Sequence, residues 1–176
     1  MKRQQNGFTL IELLIVVAII GIVAAIAIPG MLRARMAGNE ASAIGTMRAV
    51  VSGQATYSSS CASGGFAQTL QDLAKPGSSS VGFVSPDIQS NGIIKSGYRT
   101  SVGRGVGALT VTPSADTCNG SSADAVDKYF GEAHPVAVGS TGQRSFATNQ
   151  RGSVFQDASG GIFTAAAVES ATTTVQ

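Results

Sequence analysis

The chain has 176 residues, a formal net charge of +2, 43% hydrophobic residues and only 12% charged residues. This composition is too apolar for a disordered chain, and its 22 glycines, with many serines and threonines, are too many for an all-helical bundle. Lys2 and Arg3 carry the excess positive charge, so the rest of the chain is formally neutral. A neutral remainder excludes the sequence-independent attraction to nucleic acid that a basic domain has.

The first 30 residues combine a short basic start with a long apolar run. MKRQQNG is followed by residues 8–28, in which Glu12 is the one charged side chain. Basic residues ahead of an apolar segment hold that end in the cytoplasm, so the pattern predicts insertion into a membrane. Three interpretations are open: a removable secretory signal, a plain membrane anchor, and a specialised anchor that is processed on the cytoplasmic side.

The position of Glu12 bears on these three interpretations. Ala25-Ile26-Ala27 supports a secretory signal, because small residues in this spacing form a cleavage site. Against it, Glu12 lies in the first turns of what should be an uncharged segment, and the apolar run continues through Pro29 into helix-compatible sequence. A plain anchor explains the length of the run but gives no role to Glu12, although a carboxylate is costly there.

The stretch Gly7-Phe8-Thr9-Leu10-Ile11-Glu12 resembles the signal of type IV prepilins and the related type II secretion pseudopilins. The resemblance covers residues 1–30 and little beyond. It implies that residues 1–7 are a leader peptide, which a membrane peptidase removes by cutting between Gly7 and Phe8 on the cytoplasmic face. It also implies N-methylation of Phe8, and Glu12 matches the family's acidic residue four positions beyond the new terminus.

The residue types suit this processing. Gly7 has no side chain, so a peptidase can approach its backbone closely. Cleavage creates an ammonium group at Phe8, and this group and the Glu12 carboxylate stabilise each other near hydrocarbon far more than in water. The two groups can pair within one helix or, as the resemblance suggests, between neighbouring subunits of a filament. An interfacial Glu12 that reaches the lipid headgroups is the alternative.

Residues 8–57 are predicted to form one long helix, of which 8–30 would be the membrane and filament core. Pro29 lacks a backbone donor and Gly21 weakens the helix, so a kink is expected in this half. The resemblance implies that the stretch between them unwinds on assembly, whereas an ordinary membrane-helix kink is the alternative. In the second half one apolar face is predicted from the spacing of Leu32, Met36, Ile44, Met47 and Val51.

The remainder is predicted to be a small antiparallel sheet that packs on the second half of the helix, which gives an α+β, pilin-like fold. Residues 58–91 are a connecting region, with a short helical or irregular piece at 66–77. Residues 92–168 hold the sheet, and 169–176 form a flexible tail. Strands are expected at 92–102, 107–113, 134–138, 144–150 and 153–157, the last two as a hairpin with Gly152 near its turn.

Cys61 and Cys118 are the two cysteines, and no CxxC motif or Cys/His cluster accompanies them. A zinc site is therefore not indicated. If the domain lies outside the cytoplasm, a disulfide between them is predicted. Two buried free thiols are the alternative.

No motif for catalysis is present, and the chain is expected not to be an enzyme. His134 is the only histidine and is predicted to be structural or exposed. The Gly-rich stretch 103–107 lacks the following helix that a phosphate-binding loop needs. Lys95, Arg99 and Arg104 are interpreted as a charged, protected sheet edge rather than a DNA-binding edge.

Asp116, Asp124 and Asp127 lie near Cys118 and are weak candidates for a Ca²⁺ site, because hard cations take carboxylate oxygens. Their spacing matches no assignable pattern, so a solvated acidic loop is favoured. No cofactor is expected.

The resemblance implies that the chain is a structural subunit of a type IV pilus, inserted in the bacterial inner membrane as a single-pass precursor and then polymerised through its apolar helix into an extracellular filament. The resemblance implies identical subunits, the prepilin peptidase, an assembly platform and inner-membrane lipid as partners, and no nucleic acid. The alternatives are a type II secretion pseudopilin in a periplasmic pseudopilus, and a periplasmic domain on a permanent single-span anchor.

Overall fold

The computed structural model describes residues 7–77 and 80–175. Most of the predicted leader, residues 1–6, therefore lies outside the described residues. The helices are α1 (Leu10–Ser60), α2 (Leu70–Ala74) and α3 (Ala165–Ser170). The strands are β1 (Ile93–Lys95), β2 (Tyr98–Arg104), β3 (Thr110–Thr112), β4 (Ala125–Val126), β5 (Tyr129–Pro135), β6 (Ser145–Asn149) and β7 (Val154–Asp157). The predicted α+β class is confirmed.

The chain divides into two compact units, the first ending at Arg35 and the second beginning at Met36. In the first unit α1 runs through Gly21 and Pro29 without interruption. Its large apolar side chains from Leu10 to Leu32 are exposed. Among the described residues α1 is the helix long and apolar enough to cross a membrane. The kink and the unwinding on assembly stay predictions.

The second unit is built around a five-stranded antiparallel sheet with the order β1-β2-β5-β6-β7. One face of this sheet packs on the part of α1 that follows Met36. Met47, Val50 and Tyr57 of α1 are fully buried, because spacings of three and seven residues place them on one side of the helix. They share a core with Val102 and Phe146 of the sheet.

The predicted apolar face of α1 is partly wrong. Met47 lies at its centre, but Val50 rather than Val51 is fully buried, and Leu32 is 43% exposed. The buried side includes the polar side chain of Gln54. The Nε2 of Gln54 donates to the carbonyl of Ala67 at 2.8 Å, and its Oε1 accepts from the N–H of Ala67 at 2.9 Å. A pattern of apolar residues alone does not include such a glutamine.

The opposite face of the sheet is covered by α3, which was not predicted. Val168 of α3 packs on Ala147 and Phe155, and Phe163 and Phe130 lie against them. Residues 173–175, part of the predicted tail, pair with the outer edge of β7. The N–H of Gln156 donates to Thr173 at 3.0 Å, and the N–H of Val175 donates to Val154 at 2.9 Å.

The strand predictions fail in two places. The run at 92–102 is two strands, β1 and β2, because Ser96 and Gly97 both have positive φ and form the tight turn of a hairpin. The strand expected at 134–138 lies earlier, at Tyr129–Pro135. The last hairpin, β6 and β7, is confirmed, and Gly152 at its turn has a φ of 74°. The β3–β4 pair forms a separate two-stranded sheet.

The predicted disulfide is confirmed. Cys61 follows the last residue of α1 and is bonded to Cys118. The N–H of Cys118 also donates to the carbonyl of Cys61 at 3.0 Å. Gly77 lies against this bridge, since a Cβ at Gly77 would be 2.6 Å from the sulfur of Cys118. The disulfide therefore fixes the 113–124 segment to the end of the helix.

Candidate processing and assembly site at the start of the helix

The start of α1 is fixed by a reciprocal pair of hydrogen bonds between Thr9 and Glu12. The N–H of Glu12 donates to Thr9 Oγ1 at 3.3 Å, and the N–H of Thr9 donates to Glu12 Oε2 at 2.9 Å. The Thr9 hydroxyl donates to the same carboxylate oxygen at 2.6 Å. This is a capping box, in which an N-cap side chain and a glutamate three residues later each satisfy a free N–H of the first turn.

The capping box leaves residues 7–9 outside the helix, which begins at Leu10. The predicted scissile bond between Gly7 and Phe8 is therefore in non-helical, exposed backbone, and Phe8 is 83% exposed. A Cβ at Gly7 would have no atom within 4 Å. Among the described residues crowding gives no reason for glycine at this position, whereas close approach by an external partner does.

The sequence assigned Glu12 one role, pairing with the amino group of Phe8. The structure adds a second role, capping the start of α1. The capping hydrogen bonds use Oε2, and among the described residues Oε1 has no hydrogen-bond partner. The pattern T-x-x-E before an apolar run is a known sequence signal for this cap and could have predicted it. One carboxylate can therefore cap its own helix and still present an oxygen to an ammonium group.

The acidic candidates for calcium do not converge on one point. Asp124 Oδ1 accepts the N–H of Ser114 at 2.9 Å, and Asp127 Oδ1 accepts the N–H of Leu109 at 2.6 Å. Asp116 lies in the short 3₁₀ turn Ser114–Asp116. Within residues 7–77 and 80–175 no group of three His, Cys, Asp or Glu side chains could hold a metal ion.

The predicted basic sheet edge is partly wrong, because Lys95 is on the edge strand β1 but Arg99 and Arg104 are on β2, the second strand of the sheet. All three side chains have partners within the second unit. Lys95 forms an ion pair with Asp87 at 2.5 Å. Arg99 donates to the carbonyl of Gly92 at 3.2 Å, and Arg104 donates to the carbonyl of Ala108. The Gly-rich stretch 103–107 runs from β2 into the loop before β3.

His134 forms a half-buried pair with Glu132 on β5, on the sheet face away from α1. Its Nδ1 lies 2.8 Å from Glu132 Oε2, and Glu132 is 6% exposed. Burial raises the pKa of Glu132, and the nearby His134 and Arg99 reduce this rise without cancelling it. The i, i+2 spacing of the two residues in a strand was the signal that could have paired them.

Comparisons with known proteins agree with the N-terminal signal. Residues 2–28 match the family described as the prokaryotic N-terminal methylation motif. A stretch of 29 residues is 83% identical to the type IV major fimbrial protein FimA of Dichelobacter nodosus, covering 16% of this chain and 19% of that protein. Over 38 residues the chain is 60% identical to the type IV wide pilus major component PilA4 of Thermus thermophilus, covering 22% of this chain and 29% of the relative.

These matches span less than a third of each relative's length, and the rest of the chain is outside them. No solved structure matches the chain. Over its N-terminal motif the chain is therefore similar to type IV major pilins, and residues 2–28 carry the prokaryotic N-terminal methylation motif.

Proposed function

We propose that the chain is a structural subunit of a type IV pilus. It is inserted in the inner membrane as a precursor, cleaved after Gly7, N-methylated at Phe8 and polymerised through its apolar helix into an extracellular filament. The observation that carries the proposal is the methylation motif joined directly to an apolar helix. The large apolar side chains of that helix are exposed in the first unit.

Exposed apolar side chains along the helix require a partner that is not water. A single turn of exposed leucines is ordinary on a protein surface, but a continuous apolar cylinder is a membrane or protein interaction surface. The bilayer supplies this partner before assembly, and identical copies supply it afterwards. Helices that leave lipid for one another gain mainly by close packing and by polar contacts between helices.

The polar contact that fits this exchange is the pair formed by Glu12 and the new amino group of Phe8. Before cleavage Phe8 contributes a peptide nitrogen, so the ammonium exists only in the processed chain. The prepilin peptidase and an assembly platform act as transient partners in this proposal. Function is by assembly, and no catalytic step is assigned to the chain.

The second candidate is a type II secretion pseudopilin, which would form a short periplasmic pseudopilus. Residues 2–28 support both candidates equally, since the same signal resembles both groups. A third candidate of another class is a periplasmic domain on a permanent single-span anchor. It predicts that the first seven residues remain in the mature chain.

Mass spectrometry of the mature amino terminus, taken from surface filaments, tests the proposal. N-methylated Phe8 in those filaments is the expected result. An intact Met1 or a start at Ile28 contradicts processing at Gly7. N-methylated Phe8 in cells without surface filaments, with calcium bound to the chain, favours the pseudopilin.

A further inference from the structure

We infer that Arg33 and Arg35 bind the phosphate groups of membrane phospholipids, on the side of the bilayer away from the leader. The inference rests on the proposed membrane insertion and adds a partner surface to it. Both arginines lie in the first unit, directly after the apolar run. Both side chains are exposed.

The length of the apolar run places these arginines at the level of lipid headgroups. Residues 13–32 carry no charged side chain. At about 1.5 Å per residue this stretch is about 30 Å long, the thickness of a bilayer's hydrocarbon core. Glu12 stands at one end of the stretch and Arg33 at the other. Arg35 lines a shallow groove with Ile28, Met31 and Leu32, and its long stem allows the guanidinium to reach the headgroup layer.

Neither guanidinium has a partner within the part of the chain that the structure describes. None of the salt bridges or side-chain hydrogen bonds involves Arg33 or Arg35. The next acidic residue after Glu12 in the sequence is Glu40. Its carboxylate is occupied by hydrogen bonds from Gln143 and Arg144. The charges of Arg33 and Arg35 are therefore left for an external anion.

The arrangement of the two arginines favours a lipid surface over a protein partner. Residues two positions apart are about 200° apart around an α-helix, so Arg33 and Arg35 point to nearly opposite sides. A protein that contacts one face of the helix reaches one of them. A headgroup layer surrounds the helix and reaches both. Guanidinium groups bind phosphate oxygens through paired hydrogen bonds, which suits this ligand.

The test uses the full chain with Arg3→Gln, labelled at its arginine, leucine and isoleucine side chains, in mixed phosphatidylcholine–phosphatidylglycerol vesicles. Arg3 is replaced because it belongs to the basic start of the chain and would lie near phosphate on the other side of the bilayer. Carbon–phosphorus recoupling in solid-state NMR then reports which arginine Cζ atoms lie near lipid phosphate. We expect a recoupled signal from the Arg3→Gln chain and its loss when Arg33→Gln and Arg35→Gln are added. Arg48→Gln is the matched control, because Arg48 is an exposed arginine further along the same helix, and it should keep the signal.

The same sample separates failure of this inference from failure of the proposed function. Contacts between lipid acyl chains and the Leu and Ile side chains of residues 13–32 report membrane insertion. If these contacts are absent, membrane insertion itself is wrong. If they are present and the arginine signal is missing, or survives the double substitution, only the lipid-phosphate assignment is overturned. An equal signal with inorganic phosphate in a sugar-based detergent also overturns it, because the site would then bind free phosphate.

Discussion

Glu40 of α1 and Arg144 before β6 form a two-pronged ion pair. Arg144 donates through Nε and Nη2 to Glu40 Oε2, at 2.9 and 2.7 Å. The other carboxylate oxygen accepts the backbone N–H groups of Gln143 and Arg144, at 2.9 and 3.2 Å. Within the second unit this pair joins the helix to the loop that leads into β6, the fourth strand of the five-stranded sheet.

Replacing Glu40 with Gln should destabilise the second unit by about 1–2 kcal/mol, because the charge-assisted bonds are lost and the Arg144 guanidinium, which also donates to Gln156, is left without a counter-charge. Burial alone would raise the pKa of Glu40, but the hydrogen bonds from Gln143 and Arg144 together lower it. A lowered pKa gives stability that is present above the ordinary value and lost as the pH falls through the folded-state value. The stability of the wild-type chain should therefore fall below about pH 4.5, and this fall should be smaller in the variant.

The measurement is thermal unfolding of the full chain in detergent, followed by near-ultraviolet circular dichroism of tyrosine. The three tyrosines, Tyr57, Tyr98 and Tyr129, are all buried in the second unit, so the signal reports on that unit. Arg48→Gln, an exposed change on the same helix, serves as the control. An unchanged midpoint in Glu40→Gln would show that the ion pair contributes nothing net.

Replacing Gln54 with Leu should cost about 2 kcal/mol, although the new residue is more apolar. The Gln54 amide pairs with both backbone groups of Ala67, and both partners are buried. Leucine would leave a buried N–H and a buried carbonyl without partners, which costs more than the added apolar contact returns. The same tyrosine signal measures the change. Gln54→Glu should destabilise the chain at least as much at neutral pH, because it loses the donor and places a carboxylate in a buried site. Equal or higher stability of the Leu variant would reject this account.

Replacing Glu132 with Gln should stabilise the chain at neutral pH. The raised pKa of Glu132 means that its protonated form suits the fold better, so its contribution is favourable at low pH and is lost as the pH rises through the folded-state value. Gln mimics the protonated acid and can still accept from His134. We expect a gain of about 1 kcal/mol at pH 7 and a flatter stability profile above about pH 4.5. Lower stability at pH 7 would mean that the pairs with His134 and Arg99 outweigh burial.

Removing the disulfide with Cys61→Ser and Cys118→Ser together should lower stability by about 4 kcal/mol, the loop-closure estimate for a loop of this size. Reducing the wild-type chain should reproduce most of this loss. A reductant should leave the double variant unaffected, which separates the disulfide from any other effect of the reductant. A loss of under 1 kcal/mol would indicate that the hydrogen bonds between Asp72 and Ser122 already hold the 113–124 segment.

Three variants separate the two roles of Glu12. Glu12→Ala removes both roles, and we expect normal cleavage but impaired filaments. Glu12→Gln keeps an oxygen that can accept from Thr9 but loses the charge, so filament yield should fall as far as in the Ala variant. Thr9→Ala removes the cap and keeps the carboxylate, so filaments should form.

Cleavage is read by mass spectrometry and filaments by electron microscopy in the three strains. Normal filaments from Glu12→Ala would refute any assembly role. If Thr9→Ala and Glu12→Ala are equally defective while Glu12→Gln is normal, helix capping is the whole contribution of Glu12.

The sequence was most informative where a local pattern decides the structure. The Gly7, Phe8 and Glu12 signal, the long helix and the Gly152 hairpin depend on neighbours in the chain. The early part of β5 was missed because Gly131 and Glu132 interrupt its apolar pattern. Tertiary contacts account for both residues. A Cβ at Gly131 would lie 3.6 Å from Val50 of α1, and Glu132 is buried beside His134. The packing of Gly131 depends on a helix residue far away in the sequence, so the local pattern does not predict it.

The backbone pairing of residues 173–175 with β7 also bears on how the protein can be labelled and handled. This short segment covers one edge of the main sheet, whose other edge is the three-residue strand β1. Cutting the chain before Thr173, or attaching an affinity tag directly after residue 175, would disturb that cover and expose β7 to strand exchange with other molecules. The turn at Gly139 and Ser140 is a safer place for a fluorophore or epitope, because both residues are exposed and lie outside the strands.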